Sequence, residues 1–154
     1  MKKLILLVII LIVAAAAAFI FFSQSQKQDN IQPSPSNNES IIYSNASADM
    51  IKVELPFPGA VTGKSFSVIG EARGTWFFEA SFPIQLFDKD GKLLATAIAQ
   101  AQEDWMTENF VSFKADITAP EYYIGEATLV LKKDNPSGLP ENDASISFKI
   151  TVEY

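Results

Sequence analysis

The sequence predicts an all-β domain, a two-sheet β-sandwich of about seven strands, preceded by one N-terminal transmembrane helix. Three observations carry this. From Met50 onward the apolar residues recur with a period of two. Turn chemistry separates the runs, and no amphipathic helix of useful length interrupts them. At the N-terminus, Leu4–Phe22 is a continuous run of 19 uncharged, apolar residues behind Lys2 and Lys3.

The runs follow in order. Ile51, Val53 and Leu55 alternate with Lys52 and Glu54, and Phe66, Val68, Gly70 and Ala72 share one face of the next run. A longer strand is expected over Trp76–Leu86, with Trp76, Phe78, Ala80, Phe82, Ile84 and Leu86 on its apolar face. Asp88-Lys-Asp90-Gly91 is a hairpin signal, and Lys92–Ala101 returns from it. Val111, Phe113, Ala115 and Ile117 point one way, Ala127, Leu129 and Leu131 repeat the pattern, and Ile146, Phe148, Ile150, Val152 and Tyr154 close it. Seven one-faced strands in about 105 residues suit an immunoglobulin-like sandwich with a core large enough to need no staples.

On this reading the opposite face of the Trp76–Leu86 strand carries Phe77 and Phe87, where water is expected. Pro83 has no N–H for a ladder, so a bulge is expected there. Such a bulge would shift the register once, turn Phe87 inward and leave Phe77 as the exposed aromatic, a candidate contact. Two other covers for these rings are open: the apolar island Ile41-Ile42-Tyr43, docked on the domain, or a partner.

Three segments are expected: 1–22 as membrane anchor or signal segment, 23–49 as a flexible polar linker, and 50–154 as the domain. A helix of 19 residues spans about 28 Å, close to the bilayer core. Lys2 and Lys3 hold the N-terminus in the cytoplasm and send the domain outside, as a single-pass protein bound to the cytoplasmic membrane through residues 4–22. The alternative is a cleaved signal peptide with small-residue sites in Ala14–Ala18, which would secrete the domain; cleavage there would leave Phe-Ile-Phe-Phe as an odd new start, so the anchor is preferred. Ser23–Asp49 is rich in Ser, Asn, Gln and Pro and too poor in apolar residues to fold alone. Asn38 and Asn45 match the glycosylation pattern, cheaply in such a stretch.

Composition narrows the chemistry. The 154 residues contain neither His nor Cys and carry a formal net charge of −6. The usual general base, the commonest metal ligand, thiolate nucleophiles and disulfides are therefore missing, as is a lipidated N-terminal Cys. An acidic surface without a basic patch repels phosphate backbones, so no nucleic-acid partner is expected. No cofactor is expected. Asp88 and Asp90 could open a calcium loop, but the positions that should supply further ligands hold Lys92 and Ala99, so the hairpin is preferred. Glu103, Asp104 and Glu108 lie in one short loop rather than on two sides of a cleft, unlike a glycosidase pair. No Gly-x-Ser-x-Gly or Ser-x-x-Lys pattern sits in a suggestive context.

Two loops remain as binding candidates. Lys133–Asp143 is the longest, stiffened by Pro136 and Pro140; Asn135 and Pro136 are candidate contacts, against a rigid connector as the equal alternative. Trp105 and Met106 sit in a polar stretch, where the Trp either plugs the sandwich end or stacks on a sugar or a partner.

"GTWFFEASFPIQLFDKDGKLL", "AQEDWMTENFVSFKADI" and "GEATLVLKKDNPSGLPENDASISFKITVEY", led in by "IKVELPFPGAVTGKSFSVIGEARG", resemble in that order the Gmad2 domain, the immunoglobulin-like domain of bacterial spore germination proteins. The resemblance covers Ile51–Tyr154. It implies an extracytoplasmic β-sandwich on membrane-attached bacterial proteins and supplies no catalytic residues. The function expected is a non-catalytic binding module of the cell envelope with an envelope protein as partner, linked by the family to sporulation or germination. The alternative is a cell-wall polymer module stacking glycan on Trp105 and Phe77, and the remote one is a hydrolase with an unrecognised site.

Overall fold

The computed structural model describes residues 40–154. The anchor expected at 1–22 and most of the expected linker lie outside them. Among the described residues no helix is long and apolar enough to cross a membrane.

Nine strands form: β1 (Ile42–Ser44), β2 (Ile51–Leu55), β3 (Val61–Thr62), β4 (Ser65–Arg73), β5 (Ser81–Asp88), β6 (Leu93–Ala101), β7 (Phe110–Thr118), β8 (Gly125–Lys132) and β9 (Ser145–Val152). Hydrogen bonds link them in the order β1-β9-β8-β5-β6-β7-β4-β2, with β3 also on β9. Every pairing is antiparallel except β3 with β9. The path folds over on itself: Phe82 of β5 meets Phe113 of β7 edge-on at 4.9 Å, although β6 lies between the two strands in hydrogen-bond order. One core results. It takes the alternating residues the sequence marks: Phe82, Ile84 and Leu86; Val111, Phe113 and Ile117; Leu129 and Leu131; Ile146, Phe148, Ile150 and Val152.

Seven strands were expected, and the two additional ones are the shortest. Both lie on the outer edge of β9. Residues 42–44, within the stretch read as linker, pair as β1 with Ser145–Ser147, and β3 runs parallel beside Thr151 and Val152. Between them the Gly59 N–H donates to the Lys149 carbonyl at 2.7 Å, so β9 is covered along its length. The chain reaches β3 from β2 through a cis Leu55–Pro56 peptide and Gly59 at φ 78°.

The long strand expected over Trp76–Leu86 is not one strand. Gly74–Trp76 is a 3-10 turn, and β5 begins only at Ser81. Between them, Phe78 and Ser81 exchange N–H···O bonds of 3.0 and 3.1 Å around Glu79 and Ala80, whose φ values are 49° and 61°. Two successive left-handed residues make a type I′ turn, and the alternation is reset there. The correction reverses two assignments. Phe77 is 4 % exposed and packs edge-on against Phe82 at 5.2 Å, whereas Phe78, expected inside, is 42 % exposed. Trp76 is buried as expected, 6.4 Å from Phe82, and its indole N–H meets no acceptor among the described residues.

The bulge expected at Pro83 lies elsewhere. Leu86 pairs with Ala95 and Phe87 with Leu93, so the extra residue is Leu94 on β6. Phe87 therefore stays on the outer face, half-buried. Pro83 is accommodated without a bulge: it faces Ile98 in the ladder, and pairing of β5 with β8 starts only at Ile84. At Asp88–Lys92 the hairpin forms as read, and the Asp88 carboxylate accepts the N–H groups of Asp90 and Lys92 at 2.9 and 2.8 Å. Asp90, bonded to the exposed Lys89 ammonium, raises its pKa.

Candidate functional site: one loop end

Four connections gather at one end of the sheet: Asn45–Met50, Gly74–Ala80, Gln102–Asn109 and Lys133–Ala144. The register requires it, because Arg73 pairs with Phe110, Ser81 with Gln100, and Ser145 with both Lys132 and Ser44.

Gly74–Trp76 is the wedge between them. The Gly74 N–H donates to the Asn109 carbonyl at 3.1 Å. A Cβ on Gly74 would fall 1.9 Å from the Thr107 carbonyl oxygen and 2.2 Å from that of Trp105. Only glycine admits so close an approach of backbone to backbone. On the other flank, the Trp76 carbonyl accepts the Asp134 N–H at 3.1 Å. Arg73 ties in two more segments: Nε donates to the Asp49 carbonyl at 2.9 Å and Nη1 to that of Glu108 at 3.1 Å. Its guanidinium and the Lys52 ammonium both lie over the Phe110 ring, 4.2 and 4.3 Å from its centre.

Each loop is held by its own polar side chains. In Gln102–Asn109 the Asp104 carboxylate accepts the Met106 N–H at 3.0 Å, and the Thr107 hydroxyl accepts that of Asn109 at 3.2 Å. Glu103 accepts the Ser112 N–H at 3.2 Å. Trp105 is half-buried and packs on the core, which leaves Met106 at the tip, 77 % exposed. In Lys133–Ala144 the Asn135 amide donates to the Leu139 carbonyl at 2.9 Å and to the Asp143 carboxylate at 2.7 Å, and accepts from Ser137. Pro136 and Leu139 are exposed beside it. The Asn45 amide nitrogen donates to the Asp143 carbonyl, so the glycosylation-pattern asparagine within the described residues clasps this loop.

Of the sequence candidates, Phe77 is removed from the surface by burial, Trp105 acts as a plug, and Asn135 spends its amide inside its own loop. Met106 and Pro136 remain exposed, at the same end. Phe78 and Leu139 join them and were not singled out by the sequence. No signal marked Phe78, because Glu79-Ala80 contains none of the residues that favour a type I′ turn. Of the acidic cluster, Glu103 and Asp104 line a shallow depression of about 340 Å³ with Thr107, Asn109, Phe110 and Val111. Both carboxylates already accept backbone N–H groups, as loop-fixing residues do. What this end offers is apolar tips on braced loops.

Strands, core and loop end define an immunoglobulin-like β domain. The sequence profile of the Gmad2 family, described as the immunoglobulin-like domain of bacterial spore germination, matches residues 50–139, and the chain belongs to that family. No curated protein and no solved structure matches it.

Proposed function

We propose that the chain is a membrane-anchored, extracytoplasmic immunoglobulin-like binding module of a bacterial cell envelope. It is non-catalytic, recognises an envelope protein through its loop end, and serves sporulation or germination machinery. The observation that carries the binding role is the set of exposed apolar tips, Phe78, Met106 and Leu139, standing on loops fixed by hydrogen bonds at one end of the sheet. Rigid apolar anchors lose little conformational freedom on binding, which is what an interface centre needs. Family membership supports the link to germination, and the apolar run Leu4–Phe22 supports the anchor, with the domain outside.

The cell-wall reading relied on Phe77 and Trp105 as stacking platforms. With Phe77 in the core and Trp105 half-buried, a protein partner has the stronger support. Pull-down of the full chain from solubilised membranes tests it: Phe78→Ser and Met106→Ser each lose the partner that the wild type captures. Partners unchanged in both variants and in Leu139→Ser refute recognition by this end, and co-sedimentation with peptidoglycan that Phe78→Ser abolishes would restore the glycan reading. N-terminal sequencing of the membrane-extracted protein distinguishes an intact anchor from a cleaved signal.

A further inference from the structure

An unpaired strand side is a template for another strand, and proteins blunt such sides by shortness, charge or bulges. Here β1 and β3 are three and two residues long. The outer side of β2 carries Lys52 and Glu54 and a register shift between Val53 and Leu55. The stretch of β7 past its pairing with β6 carries the exposed Asp116, beside Lys114. β6 is neither short nor charged, and its one irregularity is the bulge at Leu94, at the start of the strand. It is nine residues long, Leu-Leu-Ala-Thr-Ala-Ile-Ala-Gln-Ala, the one long strand without a charged residue. It pairs with β7 only through Gln100 and Ala101.

The direction of its free groups follows from two observations. The Ala101 N–H donates to the Ala80 carbonyl on the β5 side, whereas the Gln102 N–H donates to Ser112 on the β7 side. Backbone groups alternate along a strand, so Thr96, Ile98 and Gln100 point away from β5. Pro83 agrees: it has no N–H to give, so its partner Ile98 belongs to a non-hydrogen-bonded pair on the β5 side and directs its own groups outward. Gln100 faces Lys114 of the same chain, and Leu94 is the bulge residue. Thr96 and Ile98 are left, two residues apart, each with an outward N–H and C=O that no strand of the described residues meets.

That spacing is self-complementary. We infer that β6 pairs antiparallel with β6 of a second copy of this chain, across a two-fold axis at Ala97. With Ala97 opposite its mate, Thr96 of each copy lies opposite Ile98 of the other, and each opposed pair exchanges two N–H···O bonds. Four bonds form, all outward groups of the open stretch are used, and the Ile98 side chain, 54 % exposed, is covered. The absence of charge on β6 matters because the whole chain carries −6, and this is a long edge along which two copies meet without opposing like charges. The inference requires neither a membrane nor an envelope partner, so it stands or falls apart from the proposed function.

The chain has no cysteine, so Ala97→Cys places a single thiol on the axis. Opposed residues of a non-hydrogen-bonded pair have Cα atoms about 4.5 Å apart, within disulfide reach. Purified full chain in detergent, mildly oxidised, is expected to give the cross-linked dimer with Ala97→Cys and not with Lys52→Cys on the β2 edge. Wild type is expected to sediment as a dimer, and Ile98→Lys and Thr96→Lys, both on exposed side chains, as folded monomers by circular dichroism. A monomeric wild type, an Ala97→Cys thiol that does not cross-link, or a dimer that survives both lysine variants overturns the inference.

Discussion

Glu79 and Ala80 hold φ values of 49° and 61° at the centre of the turn that exposes Phe78. An L-residue in that region brings Cβ against the following carbonyl oxygen, at a cost of about 1–2 kcal/mol. Ala80→Gly removes this cost. It also gives the unfolded chain more freedom, which offsets about 0.4–1 kcal/mol, and it deletes a half-buried methyl worth a few tenths. The balance is a stabilisation of about 0.5 kcal/mol, which for a domain of this size raises Tm by roughly 2–3 °C. Glu79→Asn in addition creates the Asn-Gly pair that type I′ turns favour and adds a further increment. The assay is reversible thermal or urea unfolding, with an unchanged m-value showing that the surface exposed on unfolding is the same. A lower midpoint for Ala80→Gly refutes the reasoning, because the methyl would then matter more than the left-handed backbone.

Gly74→Ala is expected to destabilise by about 2–3 kcal/mol, since its Cβ cannot share space with two carbonyl oxygens 1.9 and 2.2 Å away. Hydrogen exchange at the Thr107 and Asn109 amides should rise with it, reporting a displaced loop. Phe82→Ala is expected to cost about 3–5 kcal/mol, because Trp76, Phe77 and Phe113 all pack edge-on against this ring. In denaturant melts Phe82→Leu should lose distinctly less, and equal losses would remove the aromatic contribution from the account.

Much of the fold is legible in the sequence because one face of each long strand is buried and the other wet. Val111–Ile117 and Ile146–Val152 show this plainly. The alternation misleads where it continues by coincidence through a turn. Trp76, Phe78 and Ala80 carry on the pattern of Phe82, Ile84 and Leu86, but Glu79 and Ala80 are left-handed without being Gly or Asn, held by the Phe78–Ser81 bond pair and by the Ala101 N–H on the Ala80 carbonyl. β1 and β3 are too short to show a period. Pro83 suggests a bulge because it lacks an N–H, but it faces Ile98 of β6 in a pair that makes no hydrogen bond, so pairing is not disrupted there. At the loop end the sequence placed Met106 and Pro136 on the surface. It could not show that Asn135 is consumed by Leu139, Ser137 and Asp143, nor that Gly74 joins two loops.

The shared edge of β9 bears on where this domain can be cut. The stretch matched by the family runs from 50 to 139, yet β9 lies wholly beyond it and β1 wholly before it. A fragment ending at 139 would lose Ile146, Phe148, Ile150 and Val152 from the core and bare the whole of β8, from Gly125 to Lys132, as a new sticky flank. A fragment beginning at 50 would uncover the Ser145–Ser147 half of β9. The hydrogen-bonded unit therefore runs from Ile42, paired with Ser147, to Glu153, whose N–H donates to the Thr62 carbonyl at 2.8 Å.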